Sequence, residues 1–298
     1  MSTPRSLRLP RQVTRTVIAT SRGEFAALIA VPASGVTEHR PAVLVPGYTG
    51  SKEDFLAILE PLAAGRVAAA IDMRGQHETA AAPDRAGYAM DQLALDLIAI
   101  ADSLGDARGP VHLLGHSFGG LVARQAVLAQ PAAFGSLTLL SSGPGTIGGA
   151  RAKALSDLLD YLLPAGDDLP RLRVMISRLW DTQLGPQADA DGTPPEIVGF
   201  LRDRTVRTCP IGLLAMAEHL LGSPDRTADL AALKQLPVLV SYGENDDAWP
   251  PEAQEQMAKR LRAQRVCIPG AAHSPAVEAP ETTASMLTSF WNHAEPRW

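Results

Sequence analysis

Two periodicities alternate along the chain. Residues 12–20 alternate apolar and polar positions and are rich in β-branched side chains. After the turn Ser21-Arg22-Gly23 a second run covers 24–32, and the pair predicts an antiparallel hairpin. From residue 41 the pattern changes. Short, continuously apolar runs at 41–45, 67–71, 111–114, 137–140, 238–242 and 266–268 read as buried strands. Between and after them, 52–64, 88–104, 118–130, 252–263 and 281–293 carry apolar residues at helical spacing. Strands that are apolar throughout need cover on both faces, which predicts an α/β fold: a mostly parallel sheet of about eight strands flanked by helices. Ligands of such sheets sit beyond the carboxyl ends of the strands, so chemistry is sought in those loops.

Residues 144–224 break the alternation. The segments 151–163, 169–182, 196–208 and 211–221 are all helix-like, separated by stretches such as Pro164-Ala165-Gly166 and Gly192-Thr193-Pro194-Pro195. An insertion of roughly 80 residues is too long for a loop. It predicts a helical cap or lid over the carboxyl edge of the sheet, with the core built from 1–143 and 225–298.

Composition narrows the function classes. The chain has 298 residues, 46% hydrophobic, and a net charge of −5. A nucleic-acid binder carries a basic face, and here only Arg5, Arg8, Arg11, Arg15 and Arg22 cluster, ahead of the first acid, Glu24. That arm is expected to be solvated and partly disordered. No run approaches roughly 18 apolar residues, and residues 1–20 hold no apolar leader core. The expectation is a cytoplasmic monomer or homodimer without nucleic-acid or membrane partners. Cys209 and Cys267 form neither a disulfide framework nor a zinc pattern, and both are expected to be reduced and buried.

The strongest local signal is Gly115-His116-Ser117-Phe118-Gly119-Gly120, directly after a predicted strand and directly before a predicted helix. That is the context of a nucleophile elbow, a sharp turn that lifts a serine hydroxyl above the sheet. The helix behind it presents its positive end to developing negative charge. A hydroxyl needs a base, and the base needs an orienting acid. The strand at 238–242 runs into Gly243-Glu244-Asn245-Asp246-Asp247, and the strand at 266–268 into Pro269-Gly270-Ala271-Ala272-His273-Ser274. One helix and one strand separate these loops, which sets Asp246 and His273 side by side. Asp246 is the expected acid, with Asp247 the alternative, and His273 the expected base.

These residues make the chain resemble the α/β-hydrolase superfamily, in particular its capped serine hydrolases with a G-H-S-x-G-G elbow (the esterase, haloperoxidase and proline-iminopeptidase-like branch). The resemblance implies that Ser117 attacks a carbonyl carbon, His273 takes the proton and Asp246 orients His273. It implies an oxyanion hole from the backbone N–H groups of Tyr48 and Phe118. The usual His-Gly before that donor is Pro46-Gly47 here. The turn Asp72-Met73-Arg74-Gly75-Gln76-His77 is similar to the family's Asp-x-Arg-Gly-His-Gly, with Gln76-His77 in place of His-Gly. Asp72 and Arg74 are expected to be structural and His77 a candidate for the pocket rim.

The remaining expectations are less local. His112 and His116 are four apart but lie on a strand, so no metal site is expected. Tyr161, Trp180, Met216 and Trp249 are expected at the substrate pocket, with Trp249 equally able to pack on the cap. Arg178, Arg202, Arg204 and Arg207 are expected on solvated faces. The whole predicts a cofactor-free serine hydrolase acting with water on a small to medium hydrophobic ester. An amidase, thioesterase, lactonase or carbon–carbon hydrolase, or a ligand sensor with little turnover, are the alternatives.

Overall fold

A computed structural model describes residues 2–105 and 108–295. The opening hairpin is β1 (Val13–Thr20) and β2 (Gly23–Ala30), followed by β3 (Ala42–Val45), β4 (Ala68–Ile71), β5 (Val111–His116), β6 (Phe134–Leu140), β7 (Val238–Gly243) and β8 (Gln264–Ile268). They form one sheet in the order β1-β2-β4-β3-β5-β6-β7-β8. β2 runs antiparallel to β1 and β4; the other pairs are parallel.

The period of two sorts side chains between the faces. Val43, Val45, Ala69, Ile71, Val111 and Leu113 enter one apolar cluster; Ala42, Leu44, Ala68, Ala70 and Leu114 enter the other. Helices Met90–Leu104, Phe118–Ala129 and Pro251–Leu261 cover the first face, and Leu56–Leu62 and Pro280–Ala294 the second. The predicted helix at 52–64 splits into a 3₁₀ turn, Lys52–Phe55, and the helix Leu56–Leu62.

Strand order positions the site. From β3 the chain moves outward to β4, then returns to place β5 on the other side of β3. The loops after β3 and β5 therefore diverge and leave a crevice between them. Val45 pairs with Gly115 at that end, so Tyr48 and Ser117 follow from adjacent strands.

Between β6 and β7 the chain is helical: Gly149–Leu162, Leu169–Leu179, Gly185–Ala190, Pro195–Arg207, Pro210–Gly222 and Thr227–Ala231. Pro195 and Pro210 open their helices where a missing N–H costs nothing. The predicted helix at 169–182 ends earlier, at Leu179, in a π-helical turn, Trp180–Leu184. Leu155, Leu159, Leu172, Ile176 and Leu213 join the apolar cluster of the sheet's first face, while Trp180, Ile197 and Leu201 form a small cluster of their own.

The arginine-rich start is tied down rather than loose. Arg15 Nη1 lies 3.1 Å from Glu53 and 2.6 Å from Glu78, and Arg22 Nε 2.6 Å from Asp96. Arg5 donates to the carbonyl of Glu278 at 2.8 Å. Each of these three arginines meets an acceptor far away in sequence, which the charge run alone does not reveal. Of the two cysteines, Cys209 is buried but Cys267 is exposed, because it sits on the edge strand β8.

Candidate active site

Ser117 occupies a backbone conformation that only close packing sustains, with φ 53° and ψ −121°. Its N–H donates to the carbonyl of Leu140 at 2.9 Å, which ties the turn to β6. Glycine on both sides is a steric requirement. A Cβ on Gly115 would strike the backbone of Gly119, and one on Gly119 would strike the carbonyls of Val45 and Pro46. Phe118 is the first residue of the following helix, so its N–H has no intrahelical acceptor.

His273 stands between Ser117 and Asp246. Its Nε2 is 2.9 Å from Ser117 Oγ and its Nδ1 is 2.9 Å from Asp246 Oδ1. With the proton on Nδ1, the ring donates to Asp246 and Nε2 accepts the serine hydroxyl. Asp246 also accepts from the Ala248 N–H at 2.9 Å and from Gln254 Nε2 at 3.0 Å. Burial works to raise the Asp246 carboxyl, but His273 and these two donors hold it below the usual carboxylate range. Asp247, the alternative acid, points elsewhere and meets Arg151 Nη2 at 2.6 Å.

The backbone around His273 is pinned on three sides. Glu278 accepts the N–H groups of Ala272 and, at 3.2 Å, Ser274. His116 Nε2 donates to the carbonyl of His273 at 2.7 Å. Burial, with the neighbouring His273 next, pushes the His116 imidazole down to about 3, so it is neutral near pH 7. The two histidines of the strand thus have separate tasks. His112 lies at the far end, between Ser136 and Glu295 at 2.7 and 2.9 Å.

A cavity of about 680 Å³ opens at Ser117. Ile147, Ala154, Leu155, Leu158 and Leu220 make its apolar side, and Thr49, Asp54, Arg151 and Asn245 contribute polar groups. Tyr48, His116, Ser117 and His273 line its floor. Of the four residues expected at the pocket, none lines this cavity. Trp180 is buried against Ile197 and Leu201. Met216 is buried in the main core. Tyr161 is exposed, its hydroxyl 3.4 Å from the carbonyl of Met175. Trp249 does not line the cavity either; it packs 6.4 Å from the His273 ring and donates to the carbonyls of Gly145 and Thr146 at 3.2 and 3.1 Å. Helical periodicity identifies an apolar face but not which neighbour it meets.

The loop after β4 reaches the site through hidden groups. Lys52 Nζ holds Asp72 at 2.7 Å, Arg74 pairs with Asp96 at 2.6 Å, and Gln76 bonds to the loop after β3. His77 is buried against Asp203 (3.4 Å) and the Phe200 ring, away from the cavity rim. Glu53, Asp72 and His77 bring donor atoms within 4.8 Å of one another. Lys52 already places its ammonium 2.7–3.2 Å from Asp72, Glu78 and Glu53, so this donor set has a cation from the chain itself. Arg204, expected in solvent, is buried with Nη1 2.8 Å from Asp54 and Nη2 2.7 Å from the carbonyl of Ser2. A charge so placed needs both partners, and neither is close in sequence.

Similarity to known proteins agrees with this architecture. A Bacillus subtilis (strain 168) protein provisionally named 2-succinyl-6-hydroxy-2,4-cyclohexadiene-1-carboxylate synthase is 28% identical, over 88% of this chain and 93% of its own. A pimeloyl-[acyl-carrier protein] methyl ester esterase of Neisseria meningitidis serogroup B is 27% identical over 83% of this chain and 91% of its own. The solved esterase of Thermogutta terrifontis superposes with a TM-score of 0.70 at 24% identity, covering 95% of this chain and 100% of that one. The family model described as the alpha/beta hydrolase family matches residues 42–286, and the chain belongs to that family.

Proposed function

We propose that this protein is a serine hydrolase that cleaves a small to medium hydrophobic carboxylic ester through an acyl-enzyme on Ser117. The observation that carries the reading is the continuous hydrogen-bonded path from Ser117 Oγ through His273 to Asp246, 2.9 Å at each step. In the first half-reaction Ser117 Oγ attacks the ester carbonyl carbon and its proton passes to His273 Nε2. Asp246 keeps the ring in the tautomer that can accept it and stabilises the imidazolium. The negative oxygen is met by the N–H groups of Tyr48 and Phe118. Collapse breaks the carbon–oxygen bond, and the leaving alcohol takes the proton from His273. A water then attacks the acyl-enzyme, gives its proton to His273, and Ser117 leaves with that proton as the acid departs.

The apolar side of the cavity receives the hydrophobic part of the substrate. The helices between β6 and β7 act as the cap, since Ile147, Leu155, Leu158 and Leu220 come from that segment. The test is hydrolysis of p-nitrophenyl esters with acyl chains from two to sixteen carbons by wild type and Ser117→Ala. Turnover by wild type alone, with an optimum at short or medium chains, supports the reading. Equal rates from both proteins contradict it.

A further inference from the structure

The family resemblance expects histidine where this chain has Gln76, and the side chain there is completely buried. It bonds only to backbone. Oε1 accepts the N–H of Met73 at 3.1 Å, and Nε2 donates to the carbonyls of Gly47 at 2.8 Å and Tyr48 at 3.1 Å. The carboxamide therefore staples the loop after β4 to the loop after β3.

The Gly47 carbonyl and the Tyr48 N–H belong to one peptide group. A peptide is planar and trans, so its C=O and N–H point in opposite directions. A donor that holds the carbonyl fixes the direction of the N–H. That N–H has no acceptor among the described residues. Ser117 is the close neighbour of this peptide: a Cβ built on Gly47 would lie 3.1 Å from Ser117 Cβ and 3.5 Å from its Oγ.

We propose that Gln76 is a positioning residue that aims the Tyr48 N–H at the oxygen developing on a carbonyl bound at Ser117. This rests on the reading of Ser117 as the nucleophile. An oxyanion donor acts only if it already points where charge will form, and losing one costs about 10²–10³ in rate. Gln76 touches neither substrate nor reacting atom; it acts through the peptide that it holds. Glutamine supplies two N–H donors from one nitrogen, which lets a single side chain grip two successive carbonyls.

The test compares wild type with Gln76→Leu, which keeps bulk and removes all three bonds, and with Gln76→His, which keeps one N–H donor. Three quantities are measured: kcat and KM on a short p-nitrophenyl ester, inhibition by an alkylboronic acid, and inhibition by an ether analogue of the substrate. The boronic acid forms a tetrahedral adduct on Ser117 Oγ; the ether cannot. For Gln76→Leu the expected result is a kcat lower by about 10–100-fold at nearly constant KM. Boronate affinity falls by a similar factor and ether affinity does not change. Gln76→His recovers part of both losses. Boronate affinity that survives in Gln76→Leu, or falls no more than ether affinity, overturns the proposal. Should Gln76→Leu not fold, Gln76→His carries the same comparison. A wild type that neither turns over esters nor binds the boronate instead overturns the serine-hydrolase reading.

Discussion

Arg151 and Asp247 meet at 2.6 Å between the first helix after β6 and the loop after β7. This contact separates two adjacent carboxylates that sequence alone leaves in competition. Asp247 turns outward to Arg151, and Asp246 turns inward to His273. Asp246→Asn is expected to lower kcat by about 10⁴-fold, the loss seen when a triad histidine is held in the wrong tautomer. Asp247→Asn, which removes an exposed pair worth about 0–1 kcal/mol, is expected to change kcat by only a few-fold. Steady-state kinetics of the two variants check this, and the reverse order would exchange their roles.

Glu278 gives a second prediction. Its two oxygens accept N–H groups on either side of His273. Glu278→Gln keeps the shape but offers one acceptor and turns an NH₂ toward the other N–H. A kcat lower by about tenfold with little change in KM is expected, since the loss is one of placement. Unchanged kcat would mean that the loop holds His273 without this clamp.

Acid sensitivity follows from His116. Its folded value of about 3 lies below the ordinary 6.5. Between those values the unfolded chain binds a proton that the folded chain refuses. Its contribution is therefore fully present above pH 6.5 and is lost as pH falls toward 3. Asp54, pushed up to about 6 by burial despite Arg204, acts with the opposite sign. Comparison with His116→Gln, which retains an N–H donor, isolates the histidine. Urea unfolding at pH 7.5 and 5 should show wild type losing about 2 kcal/mol more than the variant. Equal losses would contradict the assignment.

Arg204 tests the buried connection between the helical segment and the core. Arg204→Met leaves Asp54 without its guanidinium in a buried site, a change expected to cost about 3–5 kcal/mol. Arg204→Met with Asp54→Leu should recover much of that loss. Thermal or urea unfolding distinguishes the two; a double variant no more stable than the single one would mean that Asp54 does not depend on this pair.

The contrast between Ser117 and Arg204 explains what the sequence makes legible. The elbow, the acid loop and the His273 loop each follow a short strand, and their chemistry is encoded within a few residues. Short, continuously apolar runs such as Ala42–Val45 likewise reveal the sheet, because a strand covered on both faces is apolar at every position. Arg204, Trp180, Met216 and Tyr161 lie on helices whose partners are set by tertiary packing. Periodicity says that Trp180 is buried but not that it meets Ile197 rather than substrate. The roles of Glu278 and Gln76 are hidden in the sequence for a related reason. Both act on backbone groups, and only the spacing of Glu278 from His273 and the replacement of histidine by Gln76 mark them in the sequence.

The most direct test of the central claim is the mass of the protein quenched in acid during turnover of p-nitrophenyl butyrate, followed by mapping of the modified peptide. The account predicts a butyryl group on the peptide that contains Ser117, present in wild type and absent in Ser117→Ala. Turnover without an adduct on that peptide, or an adduct that persists in Ser117→Ala, would contradict it.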